Sequence, residues 1–209
     1  MSRAQILAVV RAGSIILVIA AIVAQSAFLA TRNVFDPTRF FAFFTIQSNL
    51  VGVAAFAWVL TRGDAPRTRP VELLRGAAAA YLTVTFFVVI FLLSGVDVQL
   101  QLGWVDVVLH KVFPIVVVLD WLLDPPTVRL SVRDAAIWLV YPLAWTGFTI
   151  ARGAADGWYP YPFLDPSNGG YGQVAVTVVA VTVGFLAVAT AYIAIGNALG
   201  TGRRQVRAA

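Results

Sequence analysis

The chain contains no cysteine, which excludes a disulfide framework, a thiol nucleophile and any thiolate-held metal. It contains one histidine, His110, which excludes a multi-histidine zinc site. Charge is scarce too: 12% of the 209 residues are Asp, Glu, Lys or Arg, against about 25% in soluble domains. So few charges cannot cover a 22.5 kDa globule, and a soluble enzyme is nearly ruled out. Lysine is reduced to Lys111, the other fourteen basic residues being arginine, a bias that with so much Ala and Val looks like a GC-rich genome. What is present is apolar: 60% of residues are hydrophobic and the mean hydropathy is +0.84. The natural solvent of such a chain is lipid.

A helix needs about 20 mostly apolar residues to cross the hydrocarbon core, and helices are the economical answer because backbone groups cannot stay unpaired there. Apolar runs predict six spans at about 12–31, 40–61, 75–95, 103–123, 135–151 and 171–198. The fold class expected is all-α: a polytopic membrane protein whose residues 1–209 form one integral membrane domain. Arg3 and Arg11 precede the first run as they would in a signal peptide. That run is longer than the usual h-region of about 7–15 residues, which makes it a span.

Arginine in the short loops sets orientation. Arg3 and Arg11, Arg62, Arg67, Arg69 and Arg75, Arg129 and Arg133, and Arg203, Arg204 and Arg207 fall on one side. Arg32, Arg39 and Arg152 fall on the other. Both termini are therefore expected in the cytoplasm. The basic loops are explained by topology and anionic lipid, without nucleic acid.

Ionisable groups inside spans are costly and are functional candidates by default. In the fourth span Asp106 and His110 are one turn apart and share a helical face, with Asp120 about 15 Å further along the axis and Lys111 well off that face. Pro114 has no N–H for the carbonyl of His110, so a kink is expected beside the histidine. His110 is thus either a core residue satisfying a neighbouring backbone group or a base oriented by Asp106. In the second span Thr45, Ser48, Asn49 and Gly52 share an arc, which is either an inward polar pocket or ordinary close helix packing. With the topology above, Thr45, His110 and Arg152 lie near one depth, roughly 7–11 Å from the outer boundary for the first two. Nucleophile, base and anion stabiliser are then available in one layer. The outer segment Trp158-Tyr159-Pro160-Tyr161-Pro162-Phe163 is either an interfacial aromatic belt or a lid over a lipid-facing cavity.

At these positions the sequence resembles a family of six-helix membrane threonine hydrolases with bacterial homologues. It comprises the androgen-induced protein and its relative that regulates tissue factor pathway inhibitor. Phe43-Phe44-Thr45-Ile46 resembles the family's threonine motif; His110, followed by Pro114 and Asp120, resembles its histidine segment. Trp158 to Asp165 resembles its Trp…Tyr-Pro-Phe-Leu-acid segment, and the three lie in register over residues 40 to 166. The resemblance implies hydrolysis of fatty acid esters of hydroxy fatty acids, with Thr45 as nucleophile and His110 as base. Where the animal members carry an acid this chain has Ser48, and where they carry histidines it has Arg152.

The function expected is therefore a bacterial inner-membrane lipid-ester hydrolase whose active site faces the extracytoplasmic side, acting on an ester presented from the bilayer. Asp106 would orient His110; Asn49, Ser48 or Arg152 would support the site or its oxyanion; Trp158, Tyr159, Tyr161 and Phe163 would form the substrate entrance. No metal or cofactor is called for. The competing expectation is a non-catalytic protein that binds or moves a lipid or small acid, with the stripe from Asp106 to Asp120 as its path. A retinal protein would have to use Lys111 for its Schiff base.

Overall fold

The computed structural model describes residues 1–93 and 102–208, the side chains of 201–208 excepted. The described residues are helical, with no strand among them. Helix α1 (Arg3–Thr31) starts at a capping box in which Ser2 and Gln5 satisfy each other's backbone N–H. It is followed by one short turn, α2 (Pro37–Phe40), capped by Asp36. Helix α3 (Phe44–Arg62) ends at Gly63, whose φ of +52° suits a residue without Cβ. Helix α4 (Arg69–Phe91) comes next. A rod then runs through α5 (Gly103–Val107), a π-helical turn (Val108–Val112) and α6 (Phe113–Leu123). Helix α7 (Val132–Asp156), two 3-10 turns (Pro162–Leu164 and Pro166–Asn168) and α8 (Gly170–Ala208) complete the chain.

By length and composition, four helices are able to cross a membrane: Arg3–Thr31, Phe44–Arg62, Arg69–Phe91 and the Gly170–Gly200 part of α8. Their outward faces are apolar, with Ile16, Trp58, Phe91 and Val176 exposed, as suits a membrane protein; Val140 and Phe148 of α7 are exposed as well. The boundaries differ from those expected in instructive ways. The second apolar run does not enter α3 until Phe44, because Phe40 closes α2 and Phe43 is extended at the cap position. The last residues expected of the third span, and the side chains of Arg203, Arg204 and Arg207, lie outside the described residues.

Helix α4 is the central element, packed against α3, α6, α7 and α8. Its Ala77–Ala80 segment is buried on every side, small residues letting the neighbours approach. In α7, Pro142 has no N–H to give the carbonyl of Trp138, four residues earlier. The hydroxyl of Tyr81 on α4 donates to that carbonyl instead, at 2.7 Å. Gly52 is the close-approach glycine of α3: a Cβ there would lie 2.6 Å from Phe113 Cε1 and 3.1 Å from Leu82 Cδ1. Gly52→Ala is therefore expected to destabilise by about 1–3 kcal/mol through overpacking. Thermal unfolding in detergent measures this, and an unchanged midpoint would show that the Phe113 ring yields freely.

At the end of the rod remote from His110, a charge network ties α1, α4 and α6 together. Arg75 reaches Glu72 and Asp120, both at 2.7 Å. Arg11 reaches Asp120 at 2.7 Å and Asp124 at 2.6 Å. Arg67 reaches Asp124 at 2.6 Å and Glu72 at 2.8 Å. Three guanidinium groups thus balance three carboxylates. Burial alone would raise the Asp124 carboxyl, but Arg67, Arg11 and Arg75 more than offset this and hold it well below its ordinary range.

Candidate active site

The site begins with a backbone irregularity. In the π turn the N–H of Phe113 bonds the carbonyl of Val108, five residues back, instead of that of Leu109. The residue five beyond Leu109 is Pro114, which has no N–H to offer. The carbonyl of Leu109 is therefore left for a side chain, and Asn49 Nδ2 of α3 donates to it at 3.2 Å. The same amide donates to the carbonyl of Thr45 at 2.8 Å. Asn49 thereby clamps α3 to the rod at the level of His110. Its two carbonyl partners fix its orientation, since a flipped amide would turn Oδ1 toward them.

This clamp sets Thr45 against His110. Thr45 Oγ1 lies 3.1 Å from His110 Nε2, and His110 Nδ1 lies 2.7 Å from Asp106 Oδ1. A carboxylate only accepts, so His110 Nδ1–H donates to Asp106; in the neutral ring Nε2 is then the bare nitrogen and accepts from the Thr45 hydroxyl. Thr45 and His110 are buried, whereas the Asp106 side chain keeps 35% of its exposure. Asp106 and His110 are one helical turn apart across the junction of α5 and the π turn, which supplies the geometry.

Tyr161, from the loop before the first 3-10 turn, completes the surroundings. Thr45 N–H donates to its hydroxyl oxygen at 3.3 Å, and Thr45 Oγ1 is 3.5 Å away. Thr45 sits near the start of α3, whose cap residue Phe43 has no side chain to bond the free N–H groups, so the phenol serves that end. The Tyr161 ring is stacked on Phe163 and set edge-on to Phe43. Burial pushes its phenol up, against the lowering effect of its bonds with Thr45, so the hydroxyl keeps its proton.

Thr45 and Tyr161 open on a partly open cavity of about 80 Å³ between α3, α4, α7 and α8. Its walls are apolar, including Val84, Val88, Leu139 and Phe185, with Thr85, Thr146 and Thr182 among the lining residues. Such a void takes several water-sized groups, each needing roughly 10–15 Å³.

Compared with family models, curated proteins and solved structures, the chain matches none. The site is therefore read from its own geometry. That geometry brings together Thr45, His110, Asp106, Asn49 and Tyr161 and leaves other sequence candidates elsewhere. Arg152 donates to the Thr38 carbonyl at 2.9 Å and to Asp156 at 3.1 Å, at a partly exposed position away from the cavity lining. Ser48 donates to the Thr45 carbonyl at 3.1 Å and faces Thr85 Oγ1 at 3.4 Å. Trp158 lies against the guanidinium groups of Arg39 and Arg152, and Tyr159 packs on Gly153; of the four entrance candidates Tyr161 and Phe163 line the cavity, joined by Leu164. Asp120 belongs to the charge network, and Lys111 is exposed. Among the described residues no three His, Asp or Glu side chains gather as a metal site would require.

Sequence reasoning missed Tyr161 as a partner of Thr45 and the cavity walls contributed by α4 and α8. The signal for the first was present: a tyrosine flanked by two prolines is held in one backbone course, which favours a fixed contact.

Proposed function

We propose that this chain is an intramembrane hydrolase of lipid esters, with fatty acid esters of hydroxy fatty acids as the substrate class. The single observation that carries this reading is the relay Asp106–His110–Thr45, with bonds of 2.7 and 3.1 Å, ending at a hydroxyl on an apolar cavity. A weak nucleophile held by a base, itself held by a carboxylate, is the recurrent arrangement of acyl transfer. Thr45 Oγ gives its proton to His110 Nε2 as it bonds the ester carbonyl carbon, and the carbonyl electron pair moves to oxygen. Collapse breaks the ester C–O bond, and the leaving alkoxide takes the proton from His110. Water then bonds the acyl carbon as it gives a proton to the same nitrogen; the carbon–Oγ bond breaks, Thr45 Oγ takes that proton back from His110, and the free acid leaves. No metal or cofactor takes part in these steps.

In the same proposal six helices span a bacterial inner membrane with both termini in the cytoplasm. The rod Gly103–Leu123 is about 31 Å long at 1.5 Å per residue, which matches the hydrocarbon core. The charged residues of α7 lie near its ends: Arg133 and Asp134 at one, Arg152 and Asp156 at the other. The arginine-rich loops and the charge network are then cytoplasmic, and Thr45 lies toward the extracytoplasmic side.

The test is release of fatty acid from a hydroxy-fatty-acid ester by the purified protein beside Thr45→Ala and His110→Ala. Turnover by the wild type and its loss in both folded variants supports the proposal. Equal turnover in all three sinks it. Binding of the ester without turnover in any of them would instead favour a lipid-binding protein.

A further inference from the structure

An ester hydrolase of this design needs donors for the oxygen that becomes negative, and the bonds around Thr45 show which groups have a proton to give. Asn49 does not: both its amide hydrogens are committed to the carbonyls of Thr45 and Leu109, 2.8 and 3.2 Å away. Ser48 gives its hydroxyl proton to the Thr45 carbonyl. Arg152 is held by Thr38 and Asp156. His110 uses Nδ1 on Asp106 and must keep Nε2 for the proton of Thr45.

Besides the Phe44 N–H, which also bonds the Tyr161 hydroxyl, two donors remain, one on the nucleophile's own residue and one on a group in direct contact with it. One is the Thr45 N–H, directed at the start of α3, where helix N–H groups are free and the dipole favours negative charge. The other is the Tyr161 hydroxyl, which accepts from that N–H through a long 3.3 Å bond and lies 3.5 Å from Thr45 Oγ1. Neither contact is at the distance of a strong hydrogen bond, so each yields readily to a better acceptor. Thr45 and Tyr161 both line the cavity from which a carbonyl would approach.

Resting on the hydrolase reading, we propose that Tyr161 is a catalytic residue whose hydroxyl, with the Thr45 N–H, forms the oxyanion site. The carbonyl oxygen inserts between the two donors as Thr45 Oγ bonds the carbonyl carbon. The Tyr161 proton stays on the phenol throughout, so it contributes a hydrogen bond and takes no part in the proton transfer from Thr45 to His110. The stacking of the ring on Phe163, its edge contact with Phe43 at 5.6 Å and its tilted contact with Trp145 at 5.9 Å hold the hydroxyl in place before substrate arrives. Such preorganisation is the basis of oxyanion stabilisation.

The experiment uses p-nitrophenyl decanoate in detergent micelles, and a decyl trifluoromethyl ketone whose adduct with Thr45 carries an oxyanion. Tyr161→Phe keeps the ring and is expected to lower kcat by about 10²–10³-fold with KM held, since an interaction made only in the transition state is lost. The ketone is expected to bind more weakly by a similar factor, while decanoic acid, which forms no adduct, binds as before. A merely structural role for Tyr161 would weaken both ligands alike, and that result overturns the proposal. Full turnover by Tyr161→Phe where Thr45→Ala is inactive also overturns it and leaves the hydrolase reading standing. Turnover by Thr45→Ala removes both. If Tyr161→Phe folds poorly, 3,5-difluorotyrosine at position 161 retains the hydroxyl and makes it a stronger donor. Tighter ketone binding is then expected, and unchanged affinity overturns the proposal.

Discussion

Thr45→Ala and His110→Ala are each expected to lower ester turnover by about 10⁴-fold or more, and the double variant little further than either alone. The reason is that the two groups act as one unit. Without the histidine, Thr45 keeps a proton that no other described group beside it is placed to accept: Ser48 and Asn49 both donate to the Thr45 carbonyl, and Tyr161 is a protonated phenol. Without the threonine, the base has no nucleophile in reach. Asp106→Asn separates a positional role from a chemical one. An asparagine of the same size can turn its amide toward His110 Nδ1 and move the ring proton to Nε2, where it blocks acceptance from Thr45. A fall of about 10²–10⁴-fold is expected at unchanged stability. Initial rates in detergent across pH measure all three variants. A folded Thr45→Ala with wild-type turnover, or an Asp106→Asn indistinguishable from wild type, would refute the relay.

The helical class was legible because lipid leaves few alternatives for long apolar runs, and the pairing of Asp106 with His110 because helical spacing alone dictates it. The approach of Thr45 to His110 was legible only as a shared depth. Its 3.1 Å contact depends on the π turn, which rotates the rod out of the uniform 100° per residue that a sequence wheel assumes. Pro114 announced a disturbance there, expected at the carbonyl of His110; the π turn leaves the carbonyl of Leu109 needing a donor as well, and that Asn49 answers it depends on α3 being the neighbour. Arg152 shows the opposite failure. Its depth suggested a site residue, yet depth fixes only one coordinate, and its side chain turns outward to Thr38 and Asp156. Asp120 shared a face with His110 on a regular wheel; across the π turn it meets Arg11 and Arg75 instead.

That meeting underlies the second large effect, on stability. Arg75→Met is expected to destabilise the protein by about 3–5 kcal/mol, because it leaves buried carboxylates without their cation. Arg75 is 2% exposed and bonds both Glu72 and Asp120, so no water replaces it at either oxygen. At about 2–4 °C per kcal/mol for a chain of this length, the unfolding midpoint in detergent falls by roughly 6–20 °C. Charge balance, rather than any one bond, is what the network protects. Arg75→Met combined with Asp120→Leu leaves Arg11 and Arg67 facing Glu72 and Asp124, two against two, and is expected to recover most of the loss. A double variant as unstable as the single one would mean that shape, not charge, holds these helices together. The same logic gives a pH dependence. Because the Asp124 carboxyl is held below its ordinary value of 3.8, its contribution is complete above that pH and is lost as pH falls through the lower folded value. Asp124→Asn is therefore expected to be less stable than wild type at neutral pH and to converge with it on acidification, as unfolding midpoints in detergent across pH would measure.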